Sequence, residues 1–194
     1  MHYQVTDQEK HLAKNPHHIF NINVIVTHLA ISQAALEMGH GNPYYFILVP
    51  LISSMVIAYL YFHRKAVAER DSWFVSAHWT LAWRRGRNLL ISYLIAIVVI
   101  GVSGILGDIV GGGMMMNDFS ESDSSTSIIE KIGTFFGALV VFFTVLYNFL
   151  QTGISVYDAG KGIIDNKIEQ FCPRDTNSNA ELDEPPAKQE HTSS

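Results

Sequence analysis

LLISYLIAIVVIGVSGILG, Leu89 to Gly107, and IGTFFGALVVFFTVLYNFLQ, Ile132 to Gln151, are the two stretches whose reading decides the fold. Each is close to the twenty residues that a helix rising ~1.5 Å per residue needs to cross ~30 Å of hydrocarbon. Neither contains Asp, Glu, Lys or Arg. Working outward, charge-free runs also cover Asn15 to Leu36 and Met38 to Phe62, so the 13 basic and 18 acidic residues of the 194 crowd into the remaining half of the chain. That segregation excludes an evenly patterned soluble globule and predicts a multi-pass membrane protein. The net charge of −5 gives no basic excess of the kind that marks a nucleic-acid-binding chain.

A third span is expected over residues 44–62, opening just after Pro43 and carrying Tyr and Phe at both ends, where an aromatic belt lies. Its Pro50 either kinks the helix or sits near its start. The segment 18–38 has the length of a span but includes Asn21, Asn23, Thr27, His28, Ser32, Gln33 and Glu37, so it either crosses facing other helices or lies on the surface. Charge in the connections favours crossing. The loop from Arg64 to Arg87 holds six Lys or Arg, whereas Asp108 to Lys131 holds five carboxylates and one Lys. With four spans at about 18–38, 44–62, 89–107 and 132–151, twelve of the thirteen basic residues fall on one side. The positive-inside rule makes that side cytoplasmic, together with both termini. The first seventeen residues are polar, without the basic-then-apolar pattern of a cleavable signal peptide, and the pattern fits a bacterial inner membrane.

The fold class expected is therefore all-α, a four-helix transmembrane bundle over residues 18–157, preceded by a polar segment over 1–17. A helix extension is expected over 158–171 and a disordered acidic tail over 172–194, which lacks aromatics and β-branched apolar residues beyond its first positions. Cys172 stands alone and reads as a free thiol. In the 64–87 loop, Trp73, Trp79 and Trp83 interleave with Arg84, Arg85 and Arg87, which predicts an amphipathic helix lying in the membrane interface, its indoles among headgroups and its guanidinium groups on phosphates.

Polar side chains inside the spans cost free energy unless they face protein or water. Asn21, His28 and Ser32 share one helical face of the first span, and Thr144, Asn148, Gln151 and Ser155 share one of the fourth. The two stripes predict a hydrogen-bonded seam between these helices, either as structural glue or as a hydrophilic path with His28 as its titrating group. Ser103 with Gly107 and Gly133 with Gly137 are small-xxx-small pairs that permit close helix approach.

Among nine histidines, His18 and His63 would lie at the same depth of a hairpin and form the best pair for flanking a haem iron. Interfacial histidines with no cofactor are the expected reading. No zinc-ligand spacing, P-loop, dinucleotide fingerprint or nucleophile elbow occurs in the sequence, so no catalytic residues or metal ligands are assigned. The function expected is a non-catalytic membrane subunit or scaffold, its partners being other integral membrane subunits and the bilayer rather than nucleic acid. The alternatives are a haem- or quinone-binding redox subunit, or a small transporter using the seam.

Overall fold

The computed structural model describes residues 2–40, 43–110, 115–116 and 126–174. Among the described residues the protein is helical apart from a short antiparallel pairing of Met115–Met116 with Thr126–Ser127, with four helices long and apolar enough to cross a membrane. The first is a continuous run from Asp7 to Gly39, made of α1 (Asp7–Ile25), a π-helical turn (Val26–Ile31) and α2 (Ser32–Gly39). Thr6 starts it through a capping box in which its hydroxyl accepts from the Glu9 amide while the Glu9 carboxylate accepts from the Thr6 amide. It ends where His40 adopts a left-handed conformation, φ 45°.

A 3-10 turn (Pro43–Ile47) leads into α3 (Leu48–Arg70). Pro50 thus falls in the first turn, where its missing N–H has no intrahelical partner to lose. Asp71 stops α3 in an extended conformation, and α4 (Trp73–Val110) begins two residues later, so the two helices form a tight antiparallel hairpin. The fourth long helix, α5 (Ile128–Gly160), is capped by the Ser127 hydroxyl accepting from the Ile129 amide. A 3-10 turn (Asn166–Gln170) follows. The expected helix extension over 158–171 therefore ends at Gly160, and Gly162 explains the reversal: at φ +71° its backbone sits where a Cβ would come within 2.7 Å of the Tyr3 carbonyl oxygen. Most of the tail expected over 172–194 lies outside the described residues.

α4 packs against every other span and is most extensively paired with α5. The small-residue pairs do what their spacing predicts. A Cβ at Gly133 would collide with the Ser103 side chain, and one at Gly137 would lie 3.0 Å from Ile100. The first long helix packs on both α4 and α5, which places it inside the bundle and not flat beside it.

The bundle has two levels. Outward-facing large apolar residues form a girdle from Ile22 to Met38, from Tyr45 to Phe62, from Ile91 to Val110 and from Ile132 to Tyr157. Below it, at the end where Lys and Arg gather, lies a layer packed like a soluble protein. There Tyr3, Phe74, Ala77, Ile164 and Ile168 are buried together. The amino terminus is tied in by the Tyr3 amide donating to the Gly162 carbonyl at 2.8 Å, and the carboxyl-terminal segment by the Trp73 indole donating to the Cys172 carbonyl at 2.9 Å.

This layer corrects the expected interfacial helix. α4 is 38 residues long, about 57 Å at ~1.5 Å per residue, so Trp73 to Arg87 is the unbroken downward continuation of the span over 89–107. Phe74, Val75, His78, Trp79, Ala82 and Arg85 are buried against protein. The physical reason is that no proline or turn separates Arg87 from Leu89, so the helix runs on unbroken, together with apolar residues on more than one face of the segment that protein can cover.

Candidate functional site

Two polar clusters are built into the bundle. The upper one lies within the girdle, around the π-helical turn. Asn23 donates to the Ser53 hydroxyl at 3.0 Å, the Thr27 hydroxyl donates to the Asn23 carbonyl oxygen at 3.0 Å, and the His28 Nε2 lies 2.6 Å from the Tyr93 hydroxyl. The cluster thus joins the first span to α3 and α4. The extra residue in the π turn changes which side chains face inward, a distortion that recurs at functional positions in other helices.

The lower cluster sits in the basic-end layer. His17 and His78 are buried edge to face, with Nε2 of one 2.9 Å from Nδ1 of the other. One ring donates and the other accepts, and burial beside the Arg85 cation favours the neutral form of both. Burial pushes His78 down to about 4, reinforced by the Arg85 guanidinium, and burial followed by the charge of its neighbours holds His17 well below its usual value.

Arg85, 9% exposed, donates to the Ser155 hydroxyl at 2.7 Å and the Thr152 hydroxyl at 3.4 Å. Burial lowers its pKa to about 10, so it remains a cation at neutral pH. Beside it opens a cavity of about 300 Å³ between α4, α5 and the chain after Gly160, with Arg84, Arg85, Asn88, Gln151, Asp158 and Asp165 among its lining residues. Asn88 and Tyr147 also line a shallow, open apolar groove of about 390 Å³ that runs up the outside of the girdle between Ile91, Ile95, Val140 and Phe143.

The expected seam is realised only in part. Asn148 and Ser155 are buried and Thr144 and Gln151 half-buried, so the α5 stripe does face inward, as do the half-buried Asn21, His28 and Ser32. Their hydrogen bonds do not cross between the first and fourth spans, however. His28 pairs with α4, Ser155 pairs with Arg85, and Thr144 bonds its own helix at Val140. Buried Asn148 meets no partner for either side-chain polar atom, nor does the Asn21 carbonyl oxygen. α4 lies against both stripes and offers stronger partners, a phenol and a guanidinium, than the facing amides do.

The structure does not assemble the expected His18 and His63 pair. His18 is exposed, while His63 packs against Tyr59 and Trp79 at ring-centroid distances of 5.2 and 4.5 Å. Sequence reasoning passed over the buried pair, His17 with His78. The expected lipid anchors also turn inward. Trp79 is in the core, Trp83 packs on Tyr61 at 4.9 Å, and the Arg84 guanidinium lies 3.4 Å above the Phe171 ring. Trp73 rests on Tyr3 at 5.4 Å, and only Arg87 of the set is fully exposed. Ser53 and Tyr93 carried no signal beyond being polar residues in apolar runs.

The chain matches no protein-family model, no curated protein and no solved structure.

Proposed function

We propose that the protein is a non-catalytic integral membrane subunit or scaffold of a larger membrane assembly, seated in a bacterial inner membrane with its basic end and both termini in the cytoplasm. The observation that carries this reading is a second small-residue face on α4. Ser103 and Gly107 are covered by the α5 side of the bundle, but on the flank beside them a Cβ at Gly101 or Gly104 would meet no other element within 4 Å. In lipid, where apolar surface alone does not drive association, exposed small residues allow another helix to approach closely enough for backbone packing.

The orientation is supported by the gathering of Lys10, Lys14, Arg64, Lys65, Arg84, Arg85, Arg87 and Lys161 at one end. Labelling of Cys172 by a membrane-impermeant maleimide should occur in inverted vesicles and fail in intact spheroplasts. For the assembly, native mass spectrometry of the full chain extracted in mild detergent should show further protein masses. Gly101→Leu or Gly104→Leu should remove those masses while the bundle stays folded, because both positions open onto free space. A bare chain from the native membrane would defeat the proposal.

A further inference from the structure

We infer that the adjoining polar cavity and open apolar groove between α4 and α5 together form a binding cleft for a single glycerophospholipid with a dipolar headgroup, phosphate plus primary ammonium. Three observations converge. First, the cleft is divided along its length as an amphiphile is. The polar cavity at the basic end and the apolar groove share Asn88 and Tyr147, and the groove follows α4 from Asn88 up to Ile95 and α5 from Tyr147 up to Val140. Seven residues of helix are about 10 Å, so the apolar part runs parallel to the bundle axis, the direction an acyl chain takes in a bilayer. Together the two volumes fall in the range of small-molecule sites.

Second, the polar cavity is charged in both senses, and its opposite charges act on one another only at a distance, Asp158 on Arg85 and Asp165 on Arg84. Arg84, Arg85, Asp158 and Asp165 all line it, yet among the described residues none of the four forms an ion pair within 4 Å with another. Third, the Arg85 guanidinium is 9% exposed and held by hydroxyl groups, not by a carboxylate. A buried cation satisfied only by neutral acceptors retains its demand for an anion. A phosphate against the guanidinium groups and an ammonium against the two carboxylates would meet both demands at once. An anionic headgroup would leave the carboxylates unpaired, and a quaternary ammonium would offer them no N–H.

The test uses the full chain in nanodiscs and in mild detergent, read by native mass spectrometry. Phosphatidylethanolamine, phosphatidylglycerol and phosphatidylcholine of identical chains compete as probes, with inorganic phosphate alone as a further arm. One phosphatidylethanolamine should stay bound, preferred over each competitor by about ten- to hundredfold, as hydrogen bonds to charged groups allow. Asp158→Asn should erase the preference over phosphatidylglycerol, and Arg85→Gln should release the lipid. Because Arg85→Gln can also loosen the bundle, Ile95→Trp provides a second arm: residue 95 is 44% exposed at the groove, so the indole fills the groove without disturbing the core and should release the lipid. Equal retention of all three lipids, preference for phosphatidylglycerol, binding of phosphate alone with no lipid, or retention unchanged in Ile95→Trp would each overturn the inference.

Discussion

Lowering the pH should destabilise this bundle through one pair of rings. His17 and His78 share a hydrogen bond at 2.9 Å in a buried layer facing the Arg85 cation, so a proton added to the pair creates a charge next to a like charge with no water to disperse it. In the unfolded chain the His78 ring takes a proton near its ordinary value of 6.5, but in the folded protein only near 4. As pH falls between those limits the unfolded state gains a proton that the folded state refuses. The contribution is therefore fully present above 6.5, declines through the window, and is lost below about 4. A fall from 6.5 to about 4 is worth about 3 kcal/mol at ~1.36 kcal/mol per pH unit, and the buried His17 adds in the same direction. For a chain of this size that corresponds to a fall of about 6–12 °C in Tm. Scanning the detergent-solubilised protein by intrinsic tryptophan fluorescence between pH 7.5 and 4 measures it. His78→Asn, which keeps a polar group near the Nδ1 position but cannot titrate, should be less stable at neutral pH and show a much shallower slope. A flat Tm through the window, or an unchanged slope in His78→Asn, would refute the reasoning.

Three substitutions separate the packing devices. Gly133→Leu should drive its side chain into Ser103 and part α4 from α5, costing about 1–3 kcal/mol as overpacking does, measured by unfolding in detergent, whereas Gly101→Leu should leave stability unchanged. Tyr93→Phe removes the hydroxyl 2.6 Å from His28 and should cost about 0.6 kcal/mol, an ordinary value for a hydrogen bond between helices in lipid; a loss several times larger would mean that the π-helical turn depends on it. Gly162→Ala places a Cβ against the Tyr3 carbonyl at a positive φ and should cost more than about 1 kcal/mol. It should also raise hydrogen exchange at the Tyr3 amide first.

The spans were legible because each is specified by a local property. Charge exclusion over about twenty residues marks 89–107 and 132–151 whatever their neighbours, and the Gly133 and Gly137 contact follows from spacing on one helix. Pro50, read as ambiguous, is placed by the chain's need to begin a helix after Pro43. What failed were statements that needed a third body. The seam was drawn as two facing stripes, and α4, whose 89–107 stretch is apolar apart from Ser92, Tyr93 and Ser103, carries the partners instead, Tyr93 within that stretch and Arg85 just below it. Likewise the Trp and Arg content of 73–87 was read against lipid, since the sequence does not reveal that Tyr3, Ile164 and Phe171 fold back to cover it. His17 was passed over for His18 because a one-residue step turns a helix by about 100°, and depth alone cannot choose between adjacent residues.

The position of Arg85 ties these levels together. A soluble-type layer at the basic end gives α4 a rigid base below the girdle, and that base holds a guanidinium at the boundary where lipid headgroups would lie. If Trp73 to Arg87 had been a separate helix on the surface, Arg85 would snorkel to water and its charge would be screened. Held by Thr152 and Ser155 instead, it is fixed and poorly hydrated, a state that favours one oriented anionic group over the diffuse attraction of a basic surface. The continuous helix, the buried layer and the proposed lipid cleft are thus linked. A variant that loosens the layer, such as Gly162→Ala, should weaken phosphatidylethanolamine retention without touching a lining residue, and intact retention in that variant would separate the cleft from the layer beneath it.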